Sequence, residues 1–380
     1  MGHYFIKRIS AALIAASMIL CACSDSAVFA YDDDAPSLCE AYSDYFRVGC
    51  AVNSWDIENP NSEQYKIILK NFNTLVMENE SKPENLHPKE DEYYFDKFDE
   101  FVDFCEDNDI VVRGHTLIWH SQCPDWFFKD GNEDASAELI LERIKEHVTT
   151  IVSRYKGRVS TWDVVNEVIG DDVSLRYSNW SRLVGDYDGD GDKYDFIETA
   201  FRAAREADPD ARLIINDYSL ESSTDKAIRM YNAVKKMLEE GVPIDGVGFQ
   251  MHIGKDADVE AMRENYRIIS RLREIDPDFI IEVTELDVNC YGWGQEEKDV
   301  EVTKKFLKEF SKTYTDVFEM LMDLSDEGIL DSVVFWGLHD GVSWLNGSHK
   351  NYPMLIDRDM KLKEAYFDVI ELPAERKKAE

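Results

Sequence analysis

Two glutamates in this chain are placed to do chemistry together. Glu167 closes the run TWDVVNE over residues 161–167, and Glu285 stands near the end of IIEVTELDV over residues 280–288. Each run is short and apolar, reads as a buried strand, and ends on carboxylates. Two carboxyl groups that meet in one cleft can serve as proton donor and nucleophile. The other strand ends carry groups of related kinds. Asn53 follows the first candidate strand, Glu78 and Asn79 the second, His115 and Trp119 lie within and after the third, and Asn166 precedes Glu167 after the fourth. Asn216, Asp217 and Tyr218 follow the fifth, Gln250 and His252 close the sixth, Asp287 joins Glu285 after the seventh, and Trp336 and Trp344 follow the eighth. Aromatic faces stack on sugar rings, amides and carboxylates bond hydroxyls, and paired carboxyls can break a glycosidic bond. Taken singly, a buried His or Trp is most often core and a lone Glu a solvated charge. Their gathering at one end of eight strands is what points to a site, because the opposite ends show mainly turn residues, as in ADPDA over 207–211.

The elements that must position these groups alternate along the chain. Strand candidates fall at 46–52, 73–77, 110–118, 160–166, 212–216, 246–251, 279–284 and 332–336. Helical patterns follow them, clearest at 94–108, 136–155, 194–207, 223–240, 257–274 and 297–324, where apolar residues recur three and four apart. Eight strand and helix pairs predict a closed (β/α)8 TIM barrel as a single catalytic domain, with its chemistry at the C-terminal ends of the strands. A length of 380 residues, 44% of them hydrophobic, suffices for that core. The tail over 373–380 reads as a charged helix end or a frayed terminus.

Charge and cysteines narrow the function classes. A formal net charge of -35 repels polyanions, so nucleic acid and anionic membranes are excluded as partners and a solvated surface is expected. The five cysteines beyond the N-terminus, Cys39, Cys50, Cys105, Cys123 and Cys290, form no CxxC pair and imply no zinc or redox motif. A Cys39 to Cys50 bridge is possible, although Cys50 sits in the apolar run FRVGCAV and reads as a small buried hydrophobe. Residues 1–30 read as a signal peptide, with Lys7 and Arg8 before the run ISAALIAASMIL, which is shorter than the roughly 20 residues of a membrane span. Leu20-Cys21-Ala22-Cys23 resembles a lipoprotein box with Cys23 as the lipidated residue, and Val28-Phe29-Ala30 fits ordinary cleavage after Ala30. Either way an exported protein is expected, secreted or lipid-anchored on the outer face of a bacterial membrane. Residues 24–36 read as a flexible tether, and the domain as starting near Ser37.

From about residue 37 to 372 the chain resembles a glycoside hydrolase family 10 endo-β-1,4-xylanase. The resemblance is carried in order by Glu78-Asn79-Glu80-Ser81-Lys82, Arg113 through Gln122, Trp162 through Glu167, Asn216-Asp217-Tyr218, Gln250-Met251-His252, Thr284 through Asp287, and Trp336 through Trp344. It implies retaining hydrolysis of xylan by a double displacement, with Glu167 as general acid/base and Glu285 as nucleophile. His252, oriented by Asp287, would keep Glu285 ionised, while Glu167 would carry a proton because an anion faces it. Asn166, His115, Trp119 and Gln250 would surround the sugar at the cleavage point, Asn166 bonding its 2-hydroxyl. Glu78, Asn79, Lys82 and Gln122 would hold the next sugar on the non-reducing side, with Asn53 among the binding residues. Trp336 and Trp344 would wall the cleft where a hexose carries its hydroxymethyl group, and Tyr218 would touch the leaving side. A core role for Trp336 remains an alternative.

Ser81 and Pro83 depart from the family pattern of Met and Trp, Cys123 from Leu or Thr, and Ser219 from Asn. The run DYDGDGDKYD over 186–195 is outside that pattern. Asp186, Asp188 and Asp190 match the first, third and fifth places of a calcium loop, yet Ile197 holds the twelfth place where a bidentate Glu belongs, so an acidic solvated loop is the expected reading. No cofactor is required by the chemistry. The expected protein is a monomeric enzyme acting on xylan or xylo-oligosaccharides. A β-1,4-glucanase on the same barrel and a catalytically silent xylan-binding protein are the alternatives.

Overall fold

A computed structural model describes residues 34–293 and 300–379. The export signal, Cys23, the tether up to residue 33 and residues 297–299 of the expected sixth helical pattern lie outside the described residues. Eight parallel strands form the barrel: β1 (Arg47–Val52), β2 (Thr74–Met77), β3 (Val111–Trp119), β4 (Thr161–Asn166), β5 (Arg212–Asp217), β6 (Gly246–Phe249), β7 (Ile280–Asn289) and β8 (Leu330–Phe335). They pair in chain order, and β8 returns to β1 through Arg47↔Ser332, Val48↔Val333 and Gly49↔Val334, so the expected (β/α)8 barrel is closed. Closure gives each strand a paired neighbour on both sides, which removes the exposed edge.

The apolar runs form strands because helices cover their outer faces. In the helix Lys304–Asp326, the buried residues Leu307, Phe310, Tyr314, Val317, Phe318, Leu321 and Leu324 fall three and four apart. Ser136, Ser223, Asp258 and Thr303 each cap a helix by accepting a backbone N–H, as the sequence spacing suggests. Ser37 caps the first short helix, Leu38–Ala41, which fits a domain start at that residue. The last helix, Glu364–Ala379, runs through the expected boundary at 372, and Arg376 and Lys377 tie its charged end to Asp323, Asp326 and Asp44. Tyr42 Oη donates to Val369 O at 2.6 Å, which fastens the first helix to the last.

Most strand boundaries fall within one residue of expectation, and three differ by two or more. β6 stops at Phe249 because Met251 takes a left-handed conformation, φ 61°. β7 continues to Asn289 because a separate short strand, His252–Gly254, pairs with it through Asp287↔His252. β8 begins two residues early, at Leu330. The helical pattern over 257–274 divides into an α-helix, Val259–Ser270, and a 3₁₀ turn, Arg271–Glu274. Along β7 the register against β8 shifts between Val283 and Leu286, a bulge at the level of Glu285. The five cysteines are free, and Cys50 is buried inside β1, so the bridge to Cys39 does not form.

The barrel floor is charged rather than apolar. Arg113 of β3 is buried with its Nη2 2.9 Å from Asp163 Oδ1 of β4 and its Nε 2.8 Å from Glu282 Oε2 of β7. Next to it, Gly114 makes room for a neighbour: a Cβ there would meet the Trp162 ring at 2.1 Å. Removing Arg113 alone would strand two carboxylates away from water. Arg113→Met is therefore expected to lower stability by about 3–5 kcal/mol, measured by denaturant unfolding.

Candidate active site

The C-terminal ends of the strands open into a cleft of about 790 Å³. Of the sequence-predicted site residues, Glu78, Asn79, Lys82, His115, Trp119 and Gln122 line one limb of it. Asn166, Glu167, Gln250, His252 and Glu285 form its centre, Tyr218 lies on the other limb, and Trp336 and Trp344 form a wall. Asn53 and Asp287 do not line the cleft. Asn53 stands behind Glu78, donating to its Oε2 at 2.7 Å, and Asp287 stands behind His252 and Trp344.

Glu167 follows β4 immediately and takes φ 59°, a left-handed turn that a non-glycine residue holds only when its surroundings impose it. Its N–H donates to Asn216 O at 2.8 Å, and its own carbonyl accepts from Arg176 Nε at 2.7 Å. The carboxyl is thus aimed into the cleft, where Oε1 accepts from Gln250 Nε2 at 3.2 Å. Its Oε2 lies 3.9 Å from His120 Nε2. Burial and the nearby Arg176 hold His120 below the usual histidine range.

Glu285 is buried at the bulge of β7. Its Oε1 accepts from Asn216 Nδ2 at 2.8 Å and its Oε2 lies 3.2 Å from His252 Nε2. His252 Nδ1 in turn lies 3.0 Å from Asp287 Oδ2, so one imidazole is wedged between two carboxylates. Burial disfavours the charged ring, but Asp287 and Glu285 outweigh it and raise its pKa to about 10. Burial would likewise raise Glu285, but the His252 hydrogen bond and the charges of His115 and His252 outweigh it and hold the carboxyl below its ordinary range. The linkage signs follow. Stability from His252 is present below its unfolded pKa and is lost as pH rises through about 10; stability from Glu285 is present above the ordinary carboxylate range and is lost as pH falls through its lowered value.

The two carboxyls are joined by an amide bridge. Asn216 Nδ2 donates to Asn166 Oδ1 at 3.0 Å as well as to Glu285, and Gln250 Nε2 donates to Asn166 Oδ1 at 3.2 Å as well as to Glu167. Thr284 Oγ1 fixes the Asn216 carbonyl at 2.7 Å. Beneath, His115 Nδ1 lies 2.8 Å from Asp163 Oδ2, which ties the site to the Arg113 floor.

On the first limb, Lys82 Nζ donates to Gln122 Oε1 at 2.8 Å and to Asn79 Oδ1 at 3.1 Å, and lies 5.1 Å above the Trp119 ring. Burial lowers its pKa, against the opposing pull of Glu285 and Glu78. Ser81 is buried and donates to His115 O, so its hydroxyl takes up a backbone acceptor. Trp336 is 7% exposed; it packs on Ala51, Val76 and Val334 and also faces the cleft, which joins its two expected roles. On the other limb, Tyr218 Oη accepts from Arg176 Nη2 at 2.7 Å, and Lys226 Nζ sits 3.3 Å over its ring.

Asp186, Asp188 and Asp190 do not converge. Asp190 turns to Lys236, 2.6 Å away, while Asp186 and Asp188 group with Asp195. The cation on the helix Thr224–Glu239 draws Asp190 and Asp192 away from the loop's other carboxylates. Sequence reasoning gave no particular role to four residues that the structure sets at or beside the cleft: Asn216 and Thr284, the amide bridge and its anchor; His120, inside the run Arg113 to Gln122; and Trp293, a cleft wall residue from the loop after β7. The first three lay within quoted motifs, whereas Trp293 stood in none.

A closed (β/α)8 barrel holding two strand-end carboxyls in an open cleft of amides and indoles has the architecture of a glycoside hydrolase. The chain belongs to glycosyl hydrolase family 10, whose model matches residues 37–372. It is 41% identical over 356 residues to endo-1,4-beta-xylanase C of Paenibacillus barcinonensis, a match covering 90% of this chain and 32% of that protein. It is 38% identical to endo-1,4-beta-xylanase A of Caldicellulosiruptor saccharolyticus, covering 88% of this chain and 95% of that one. The chain thus spans about a third of the length of the first curated relatives it matches and nearly all of others. Among solved structures, a family 10 protein from Paenibacillus barcinonensis superposes with a TM-score of 0.85 at 40% identity, covering 89% of this chain and 98% of that chain. A mutant xylanase of Thermoanaerobacterium saccharolyticum in complex with xylotriose superposes at 0.80 with 36% identity, covering 89% and 99%.

His252→Gln removes the cation beside Glu285. The acid limb of the kcat/KM profile is expected to move to higher pH, with kcat lower by about 10- to 100-fold, both read from a pH–rate series.

Proposed function

We propose that this protein is a retaining endo-1,4-β-xylanase. The observation that carries the reading is the imidazole held between Glu285 and Asp287, with Glu167 joined to the same carboxylate through Gln250, Asn166 and Asn216. This arrangement keeps one carboxyl anionic in a buried place and presents the other across the cleft. Membership of family 10 and the xylanase names of its relatives support the substrate.

In the first step, a Glu285 oxygen attacks the anomeric carbon as Glu167 gives its proton to the leaving oxygen, and a glycosyl ester forms on Glu285. The positive His252 and the Asn216 amide hold the attacking carboxylate in place until its charge is spent. Glu167 is then an anion facing a neutral ester. It takes a proton from water, the water attacks the same carbon, and Glu285 leaves as carboxylate, so two inversions retain configuration. Asn166, oriented by Asn216 and Gln250, would present its amide to the 2-hydroxyl of the reacting sugar. Glu78, Asn79, Lys82 and Gln122 would bind the next xylose on the non-reducing side, and Tyr218 the leaving side.

A glucan-cleaving reading has one specific support, the 38% identity to exoglucanase XynX of Acetivibrio thermocellus over 89% of this chain. The indole wall argues against it, since Trp336 and Trp344 line the cleft and, by the family resemblance, would stand on the side where a hexose carries its hydroxymethyl group. Wild-type protein is expected to release reducing sugar from xylan, with a β-anomeric fresh product by NMR, and Glu285→Ala to reduce release to background. Glu167→Ala is expected to lose about 10²- to 10⁴-fold on xylan and far less on an aryl xylobioside whose phenolate leaves without a proton. Release from cellulose alone would overturn the substrate, and an α-anomeric product the mechanism.

We also propose that the chain is exported and acts as a monomer, the export resting on Lys7, Arg8 and the apolar run that follows. Mass spectrometry of the mature N-terminus is expected to give either a lipid-modified Cys23 or a start at Tyr31, and an intact Met1 would overturn export.

A further inference from the structure

Trp293 has no part in the double displacement and stands in no motif, yet it is 54% exposed at the cleft wall. Its indole lies against Trp344, ring centroids 6.2 Å apart and planes tilted by 36°. Trp344 is itself 48% exposed, so part of its ring is uncovered on the cleft side. Two contacts locate it: Nε1 donates to Asp287 Oδ2 at 2.7 Å, and its face meets the His252 ring at 4.9 Å. Asp287 is the same carboxylate that holds His252, and His252 holds Glu285. Any swing of Trp344 therefore opens the wall and loosens the carboxylate behind the nucleophile's histidine together.

The backbone leading into Trp293 is anchored at three points. Gly292 turns with φ 75°, Tyr291 Oη donates to Lys350 O at 2.8 Å, and the pairing Asn289↔Gly254 ties the end of β7 to the strand that carries His252. A large side chain that follows an anchored segment and rests against a half-exposed indole is placed to act as a stop. We propose that Trp293 is a positioning residue that holds Trp344 against Asp287 and thereby sets the preference for a sugar without a hydroxymethyl group. The proposal rests on the glycosidase reading above and names a determinant of its substrate class. Extra bulk on a substrate is rejected only as firmly as the wall that meets it; one methylene in a closed pocket is worth about 10- to 200-fold in kcat/KM.

The test compares p-nitrophenyl β-xylobioside with p-nitrophenyl β-cellobioside, which differ at that position. For Trp293→Ala, the xylo/gluco ratio of kcat/KM is expected to fall by about 3- to 10-fold, with kcat on the xylobioside reduced and the cellobioside less affected or improved. Trp293→Phe, which keeps a ring against Trp344, is expected to restore most of the ratio. A stacking platform for the sugar itself would instead raise KM for both substrates alike at constant ratio, and that result would overturn the proposal. So would an unchanged ratio in a folded Trp293→Ala, its fold checked by circular dichroism, or a Trp293→Phe no better than alanine. Wild-type protein inactive on both glycosides and on xylan would remove the glycosidase reading, whereas wild-type activity with an unaltered variant ratio removes only this one.

Discussion

The ion pair between His252 and Glu285 is the interaction on which the site depends. A carboxylate this deeply buried would ordinarily take up a proton, because desolvation disfavours the anion. Here the cation is supplied by a ring that would itself be neutral if buried alone, and it stays charged because Asp287 lies on its other side. Neither charge is stable without the other. The arrangement is paired ionisation in a low-dielectric place, with Asn216 donating to Glu285 Oε1 and Trp344 to Asp287 Oδ2.

The same device recurs one layer down. Arg113 sits between Asp163 and Glu282, and Asp163 also holds His115. The barrel interior below the cleft is therefore a column of linked ionisable groups that rises from the floor to the carboxyls of the cleft. Each layer fixes the one above: Arg113 orients Asp163, Asp163 orients His115, and His115 contributes to keeping Glu285 anionic. Buried pairs of this kind add little net stability, but breaking one is costly, and this makes side-chain positions in the cleft hard to alter singly.

Much of this was legible in the sequence. Eight apolar runs separated by amphipathic stretches specify a parallel barrel because only closure satisfies so many buried strands, and the polar residues at their ends had one face to share. The pair Glu167 and Glu285 and the wedge of His252 and Asp287 were readable from strand ends and motif order. What escaped has physical causes. Asn216 looked like one more strand-end amide, and only the fold shows that its single NH2 group bridges Asn166 and Glu285. The run over 186–195, read as an acidic solvated loop, gave no sign of Lys236, which is distant in sequence and adjacent in space to Asp190. Trp293 carries no local signal, since its neighbour Trp344 comes from the next strand's loop. Strand ends shifted where a left-handed residue or an added short strand intervened, as at Met251 and His252–Gly254.

The bulge in β7 has a consequence in parity. Side chains along a strand face alternately in and out, so Glu282 and Thr284, which reach Arg113 and Asn216 inside the barrel, would send odd-numbered neighbours toward the helices. Yet Glu285 and Asp287 also face the site, because the register slips between Val283 and Leu286 and the count starts again. The strand thus turns even positions inward up to Thr284 and odd ones from Glu285 onward, the change falling within the slip. A chain with TELD intact but with the slip ironed flat would keep every letter of the motif and turn the Glu285 carboxyl away from the cleft.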